Sequence, residues 1–261
     1  GVRFPYRLPE VSRNADLFVL TAFSFFIMRK IVIASDSFKG SLTSSEVAEA
    51  ARIGIHQRYP ECEVIKVCMA DGGEGMLSAL ATSMQASKVT TKVHDPSGRL
   101  IESYYLIADD GNTAIIEMAL ASGLTLISED ERNPMETSSY GTGELIMDAF
   151  SRGCRKFIIG IGGSATNDGG SGMLEAMGFR FLDSHGDEII GCNGSVLSLI
   201  ATVDSSDVPR SLIDSEFVVA CDVETVFSGP EGATNVFARQ KGADDRMMNE
   251  LEEGMKNLEA V

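Results

Sequence analysis

The chain has 261 residues, of which 44% are hydrophobic and 23% charged, so it has the composition of a globular protein with a core; disorder, collagen and coiled coil are excluded. Lys+Arg 22 against Asp+Glu 38 gives a formal charge of -16, which repels phosphate backbones and anionic lipid and argues against nucleic acid or membrane partners. An anionic substrate must then be held locally, by backbone N–H groups, a metal ion or a few placed cations.

In chain order, the apolar run Leu17 to Met28 (LFVLTAFSFFIM) comes first. It is too short for a membrane span of roughly 20 residues, and no small-x-small cleavage site precedes Arg29-Lys30. Residues 1–27 are expected to be foreign to the fold, an upstream extension or a hydrophobic arm, and Met28 to open it. Lys30 to Ala34 (KIVIA) reads as a strand, SDSFKGSLTSS as a loop, and Val47, Ala51 and Ile55 recur at helical period. Thr43 and Glu46 have capping-box spacing, which marks the helix start. A second buried strand, Glu63 to Met69, runs into Ala-Asp-Gly-Gly-Glu-Gly and a helix from Met76 to Ser83. Repeated β and α segments predict a parallel sheet with ligands at the carboxyl ends of its strands.

The middle changes character. KVTTKVHD, LIESYYLIA and TAIIEMA, separated by the turns DPSGR and DDGN, are β-rich and predict a separate mixed sheet. Thr142 to Ser151 follows as a helix closed by Gly153, and Lys156 to Ile161 (KFIIGI) as a buried strand that delivers the loop GGSATNDGGSGM before a helix near Leu174. The expected class is α/β in two domains, a parallel flavodoxin- or Rossmann-like sheet (28–90, its remainder beyond Val261) and a mixed α/β domain (91–261), with a cleft between them.

The five cysteines are odd in number and widely spaced, without a C-x-x-C pair, which fits a reducing cytoplasm better than zinc or dithiol chemistry. Four polar, mostly glycine-rich loops stand at predicted strand ends: Ser35 to Ser41, Asp71 to Gly75, Gly162 to Gly172, and Cys221-Asp222-Val223. Taken singly, Asp36, Lys39 and Asp71 fit a plain turn or surface role as well as a functional one. In Ser164-Ala165-Thr166-Asn167-Asp168-Gly169-Gly170, small hydroxyls, an amide and a carboxylate between glycines suit phosphate binding beside a metal-held or proton-accepting acid. No Walker motif is present. A rival reading takes Gly160 to Ala165 as G-x-G-x-x-[GA], with Asp183, about 20 residues on, as a ribose-binding acid; the loop's extension through Gly170 weighs against that nicotinamide-dependent oxidoreductase.

Together the segments IVIASDSFKGSLTSSEVAEA, VCMADGGEGM, IEMALASGL, RNPMETSSYGTGELIMDA, GCRKFIIGIGGSATNDGGSGMLEAMGFRFLD and VACDV with GPEGATNVFARQKGA resemble the bacterial-type glycerate kinase family, from Met28 to the end of the chain. Three departures stand out. Ser35 replaces the family's usual proline, Glu224 to Phe227 replace an Asn-Pro-Leu-like turn, and Val261 falls before the family's further Gly-rich and GEGR-type motifs.

The resemblance implies ATP-dependent phosphorylation of D-glycerate with Mg2+, with 2-phosphoglycerate as the favoured product, small-molecule partners, and a homo-oligomer as an open possibility. On that reading Lys39 is the cation on the transferred phosphate or the glycerate carboxylate. Gly162, Gly163, Ser164, Ala165, Thr166, Asn167, Gly169 and Gly170, with Gly72, Gly73 and Glu74, bind the nucleotide. Asp168 is base or magnesium ligand, Asp36 and Asp71 are further catalytic acids, and Asp71 and Asp222 are metal ligands. An inactive remnant that binds a nucleotide or small acid without turnover is the alternative.

Overall fold

The computed structural model describes residues 29–36, 38, 41–68, 75–83, 85–221 and 223–261. The apolar run 17–28, Lys39, Asp71, Gly72, Gly73, Glu74 and Asp222 lie outside the described residues.

The first elements follow the sequence pattern closely. Strand β1 (Lys30–Ser35) is joined by helix α1 (Ser44–Arg58) to strand β2 (Glu63–Cys68), and the strands pair in parallel from Lys30↔Glu63 to Ser35↔Cys68. Thr43 caps α1 reciprocally: its hydroxyl accepts the Glu46 amide at 3.3 Å, while Glu46 Oε2 accepts the Thr43 amide at 2.8 Å. Two otherwise orphaned helix-end donors are thereby satisfied. The helix lies on its strands lightly, with Ala48 its one fully buried residue.

Helix α2 (Met76–Ser83) follows, then the long hairpin of β3 (Ala86–His94) and β4 (Leu100–Ala108), and β5 (Thr113–Glu117). The DPSGR turn is pinned by buried Asp95, whose Oδ1 accepts the amides of Ser97 (2.8 Å) and Arg99 (2.9 Å) and whose Oδ2 accepts Arg99 Nε (2.7 Å). Strand β3 crosses the expected boundary at residues 90–91 and is paired with β4 along its whole length. Helix α2 also sits against this second sheet, with Met76 and Leu77 buried on Leu106 and Ile115.

The chain continues through the short helix α3 (Ala119–Ser122), α4 (Tyr140–Ser151), β6 (Lys156–Gly160) and α5 (Ser171–Ala176). Then come β7 (Arg180–Leu182), β8 (Glu188–Ile189), β9 (Thr202–Asp204), α6 (Arg210–Ile213), β10 (Glu216–Ala220), α7 (Ala233–Phe237) and α8 (Asp245–Ala260). The β-rich middle lies in a mixed sheet separate from β1–β2, as expected. It joins β6 and β10 in one five-stranded sheet, β10-β6-β5-β4-β3, antiparallel at β3-β4-β5 and parallel at β5-β6-β10. Every residue of β5 is buried, as a strand covered on both faces requires. Tyr105, Ile116, Leu145, Ile146 and Phe157 form the main core between this sheet and α4, and the Tyr105 hydroxyl donates to Asp148 Oδ2 at 2.7 Å.

A small antiparallel sheet, β8-β7-β9, carries a second cluster of Phe181, Cys192, Leu197, Ile200 and Met255, the last from α8. Among the described residues no helix is long and apolar enough to cross a membrane.

Candidate functional site

Strands β5, β6 and β10 run parallel, so their carboxyl ends lie along one edge of the sheet. In such sheets that edge is where unpaired backbone groups and helix N-termini gather. β5 ends on Glu117, β6 runs out of Gly160 into the loop that closes at α5, and β10 leads to Cys221.

Glu117 is a carboxylate at the end of a wholly buried strand, itself 2% exposed. Its Oε1 accepts the Gly75 amide at 2.9 Å and its Oε2 the Leu77 amide at 3.0 Å. It therefore caps α2 from another element and ties the end of the Asp-Gly-Gly-Glu-Gly segment to the second sheet.

The loop from Ile161 to Gly170 is fastened from four sides. Gly163 O accepts the Leu124 amide and the Ala165 amide donates to Ser122 O, both at 2.9 Å, which lays the loop against the segment after α3. Thr137 Oγ1 donates to Ala165 O at 3.0 Å, Lys241 Nζ to Thr166 O at 2.6 Å, and Asn167 Nδ2 to Thr234 Oγ1 at 3.1 Å. Ala165, Thr166, Asn167 and Asp168 are all buried. At the other end the amides of Gly162, Gly163 and Ser164 donate to no acceptor among the described residues.

Asp168 is the anchor of this arrangement. Its Oδ2 accepts the Ser139 amide (2.8 Å), the Ser139 hydroxyl (2.6 Å) and the Gly172 amide (3.3 Å), and its Oδ1 accepts the Gly170 amide (3.1 Å). The Ser139 hydroxyl accepts the Met173 amide at 2.9 Å, so one carboxylate and one hydroxyl join the starts of α4 and α5 to the loop. Close approach makes glycine necessary at 172, where a Cβ would lie 2.1 Å from Ser138 Oγ and 3.0 Å from Asp168 Oδ2. Gly169 and Gly170, at φ +57 and +81, make the left-handed turn that brings the chain back over Asp168.

At 2% exposure and with four donors on it, Asp168 faces the protein. Its Oδ2 already takes three of these donors, and the other acids expected to hold magnesium, Asp71 and Asp222, lie outside the described residues. Asp36 follows β1 directly and is half-buried, with Ser35 Oγ donating to its carbonyl at 3.0 Å. Among the described residues no hydrogen bond or ion pair joins Asp36 to the β6 loop.

The rival dinucleotide reading fails on geometry. Helix α5 begins at Ser171, beyond the whole glycine motif, and Asp183 closes the β7–β8 hairpin by accepting the amides of His185 (2.8 Å) and Asp187 (2.9 Å). A cavity of about 360 Å³ between β6, β10, α5 and α6 is lined by side chains such as Ile159, Met177, Leu212 and Phe217, all apolar, and offers nothing to an anion.

Three residues of the site escaped the sequence reading. Glu117 left a readable trace, a carboxylate directly after the apolar run Ala114-Ile115-Ile116, and Ser139 stood at a helix start. Lys241 left none, because a lysine beside glutamine and glycine reads as surface. It is instead 6% exposed, with Nζ donating to Ser164 Oγ at 2.8 Å as well as to Thr166 O. Burial pushes its ammonium group down to about 8, against the opposing pull of Asp168.

Fold and site together define a mixed α/β protein organised around a glycine-rich loop at the carboxyl ends of parallel strands. Residues 31–261 match the model of the glycerate kinase family, and the chain belongs to that family. It is 44% identical over 232 residues to a glycerate kinase of Haemophilus influenzae, covering 89% of this chain and 61% of that one. A glycerate 2-kinase of Escherichia coli is 43% identical over 232 residues with the same two coverages. A crystal structure from Salmonella typhimurium LT2 assigned to glycerate kinase 2 superposes with a TM-score of 0.75 at 42% identity, over 87% of this chain and 61% of that one. The chain thus spans about three-fifths of the length of these relatives.

Proposed function

We propose that this chain takes part in ATP-dependent phosphorylation of D-glycerate, with the 2-hydroxyl as acceptor and 2-phosphoglycerate as product. The observation that carries the reading is the β6 loop, held rigid from four sides with the amides of Gly162, Gly163 and Ser164 left over, in a chain of the glycerate kinase family. Phosphoryl transfer asks a protein for in-line positioning and for fixed donors at the phosphoryl oxygens, more than for covalent chemistry. Rigidly held amides meet that need without reorganising during the reaction.

In this reading the acceptor hydroxyl attacks the terminal phosphorus, its oxygen–phosphorus bond forms as the bond to ADP breaks, and the proton leaves to a carboxylate. Asp168 is a positioning residue, since its oxygens already hold Ser139, Gly170 and Gly172. Proton acceptance then falls to Asp36 or Asp71, and Lys39 remains the proposed cation on phosphate or glycerate carboxylate. Gly72, Gly73 and Glu74 are proposed to complete the nucleotide site, and the neighbouring Gly75 amide is held by Glu117 Oε1 at 2.9 Å. Magnesium would arrive with ATP and neutralise its phosphate charge, with Asp71 and Asp222 as its proposed protein ligands.

The β1–α1–β2 unit is read as part of a Rossmann-like domain facing the five-stranded sheet across a cleft, with the domain boundary drawn before β3. Water exclusion from such a cleft would protect ATP from hydrolysis. Cys62, Cys154, Cys192 and Cys221 are unpaired, which supports placement in the reducing cytoplasm.

The test is turnover of D-glycerate with Mg-ATP, with the product identified by phosphorus NMR. A 2-phosphoglycerate signal is expected. A 3-phosphoglycerate signal would move the acceptor hydroxyl, and no phosphoglycerate from the 261-residue chain would reject the activity for it.

A further inference from the structure

Lys241 closes the single 3₁₀ turn Arg239–Lys241, and its ammonium group lies inside the protein. Its two acceptors, Ser164 Oγ and Thr166 O, are both neutral. Among the described residues no carboxylate stands within ion-pair distance of Nζ. Asp168 acts on it only through space, because that carboxylate is bonded to Ser139, Gly170 and Gly172. A buried charge without a partner is costly. A neutral donor such as an asparagine or glutamine amide could clamp a hydroxyl and a carbonyl without that cost.

The surroundings indicate what the charge is for. Ser164, which receives Lys241 Nζ, belongs to the same Gly162–Ser164 run whose amides have no acceptor, and this run is only half-buried to exposed while Ala165 to Asp168 are buried. Donors without acceptors and a cation without an anion meet on one short stretch of chain. We infer that Lys241 is the fixed counter-charge of an oxyanion site on the Gly162–Thr166 stretch, taking either a nucleotide phosphate or the carboxylate of the acceptor acid.

The identity of the anion rests on the phosphotransfer reading above, but the existence of the site does not. The low value to which burial drives Lys241 fits a group left short of negative charge until a ligand arrives. Within a surface of strongly negative formal charge, such a site also explains how an anion could be retained locally.

The experiment compares the full chain with Lys241→Met, which keeps the length of the side chain and removes the charge. Calorimetric titrations use tripolyphosphate in one arm and D-glycerate in the other, beside melting curves without ligand. Expected is binding of at least one anion by the original chain, a tenfold or greater loss of its affinity in K241M, and an unliganded Tm that is unchanged or higher. Loss confined to tripolyphosphate assigns the site to nucleotide phosphate, and loss confined to D-glycerate assigns it to the carboxylate.

Equal affinities in the two chains, or no binding of either anion by the original chain, would overturn the inference. A lower Tm in K241M with anion binding intact would also overturn it, since the lysine would then be a clamp. Should K241M fail to fold, Lys241→Gln replaces it, and failure of both likewise makes the lysine a structural clamp. Anion binding lost in K241M, from a chain that never phosphorylates glycerate, would support this site while rejecting the kinase reading.

Discussion

The β6 loop and the β1–α1–β2 unit are both strand ends passing through polar loops, yet they are held in opposite ways. Around α1 the interactions are exposed to water. The Arg52 guanidinium and the Lys66 ammonium hold the Glu49 carboxyl down to about 2, Lys30 pairs with Glu63, and Val32, Ile53 and Val67 remain exposed. Surface ion pairs of this kind add little stability. In the β6 loop the side-chain partners from Thr137, Ser139, Thr234 and Lys241 come from 28 to 77 residues away in sequence, and nearly all are buried. A segment held by exposed pairs tolerates change. A segment assembled by distant parts of the chain has a fixed shape only once the whole sheet exists, which is what a pre-organised site needs.

The sharpest way to break this contrast is Asp168→Asn. An amide at this position can keep its oxygen on the donors of Ser139 and Gly172 but sets its NH2 against the Gly170 amide and removes the charge from the other bonds, so about 3 kcal/mol of stability should be lost. The Tm should fall by roughly 10 °C. An unchanged Tm in thermal denaturation would mean that the loop is held without its anchor.

A smaller effect is expected from pH. The Lys241 ammonium sits at about 8 in the folded chain against an ordinary value of 10.5. Between those limits the unfolded chain binds more protons than the folded one, so stability contributed at this site rises with pH across that window. Below it both states are protonated and the burial penalty is constant. The Tm of the original chain minus that of K241M should therefore grow by a few degrees from about pH 7 to about pH 10. A flat difference would show that the lysine is solvated.

The smallest effect is expected in the other region. Thr43→Ala removes the reciprocal cap of α1 and should cost about 1 kcal/mol. Amide hydrogen exchange should quicken across α1 and stay unchanged at Ser171–Met177. Equal loosening of both would show that the two regions form one cooperative unit.

The sequence determined the pattern of the elements by itself. Apolar periodicity placed β1, β2 and α2, the spacing of Thr43 and Glu46 placed the start of α1, and the turns DPSGR and DDGN separated β3, β4 and β5, because each of these depends on neighbours within a few residues. The loop GGSATNDGG was recognisable for the same reason, through glycine's conformational freedom between small polar side chains. Only the tertiary structure could join β5 to β6 and β10, draw α2 onto the second sheet, turn Asp168 inward onto Ser139 and bury Lys241 beneath Ser164. Those outcomes depend on which distant groups share a space from which water is excluded, and the charge of a carboxylate or lysine in the sequence does not say whether it will face solvent or the core.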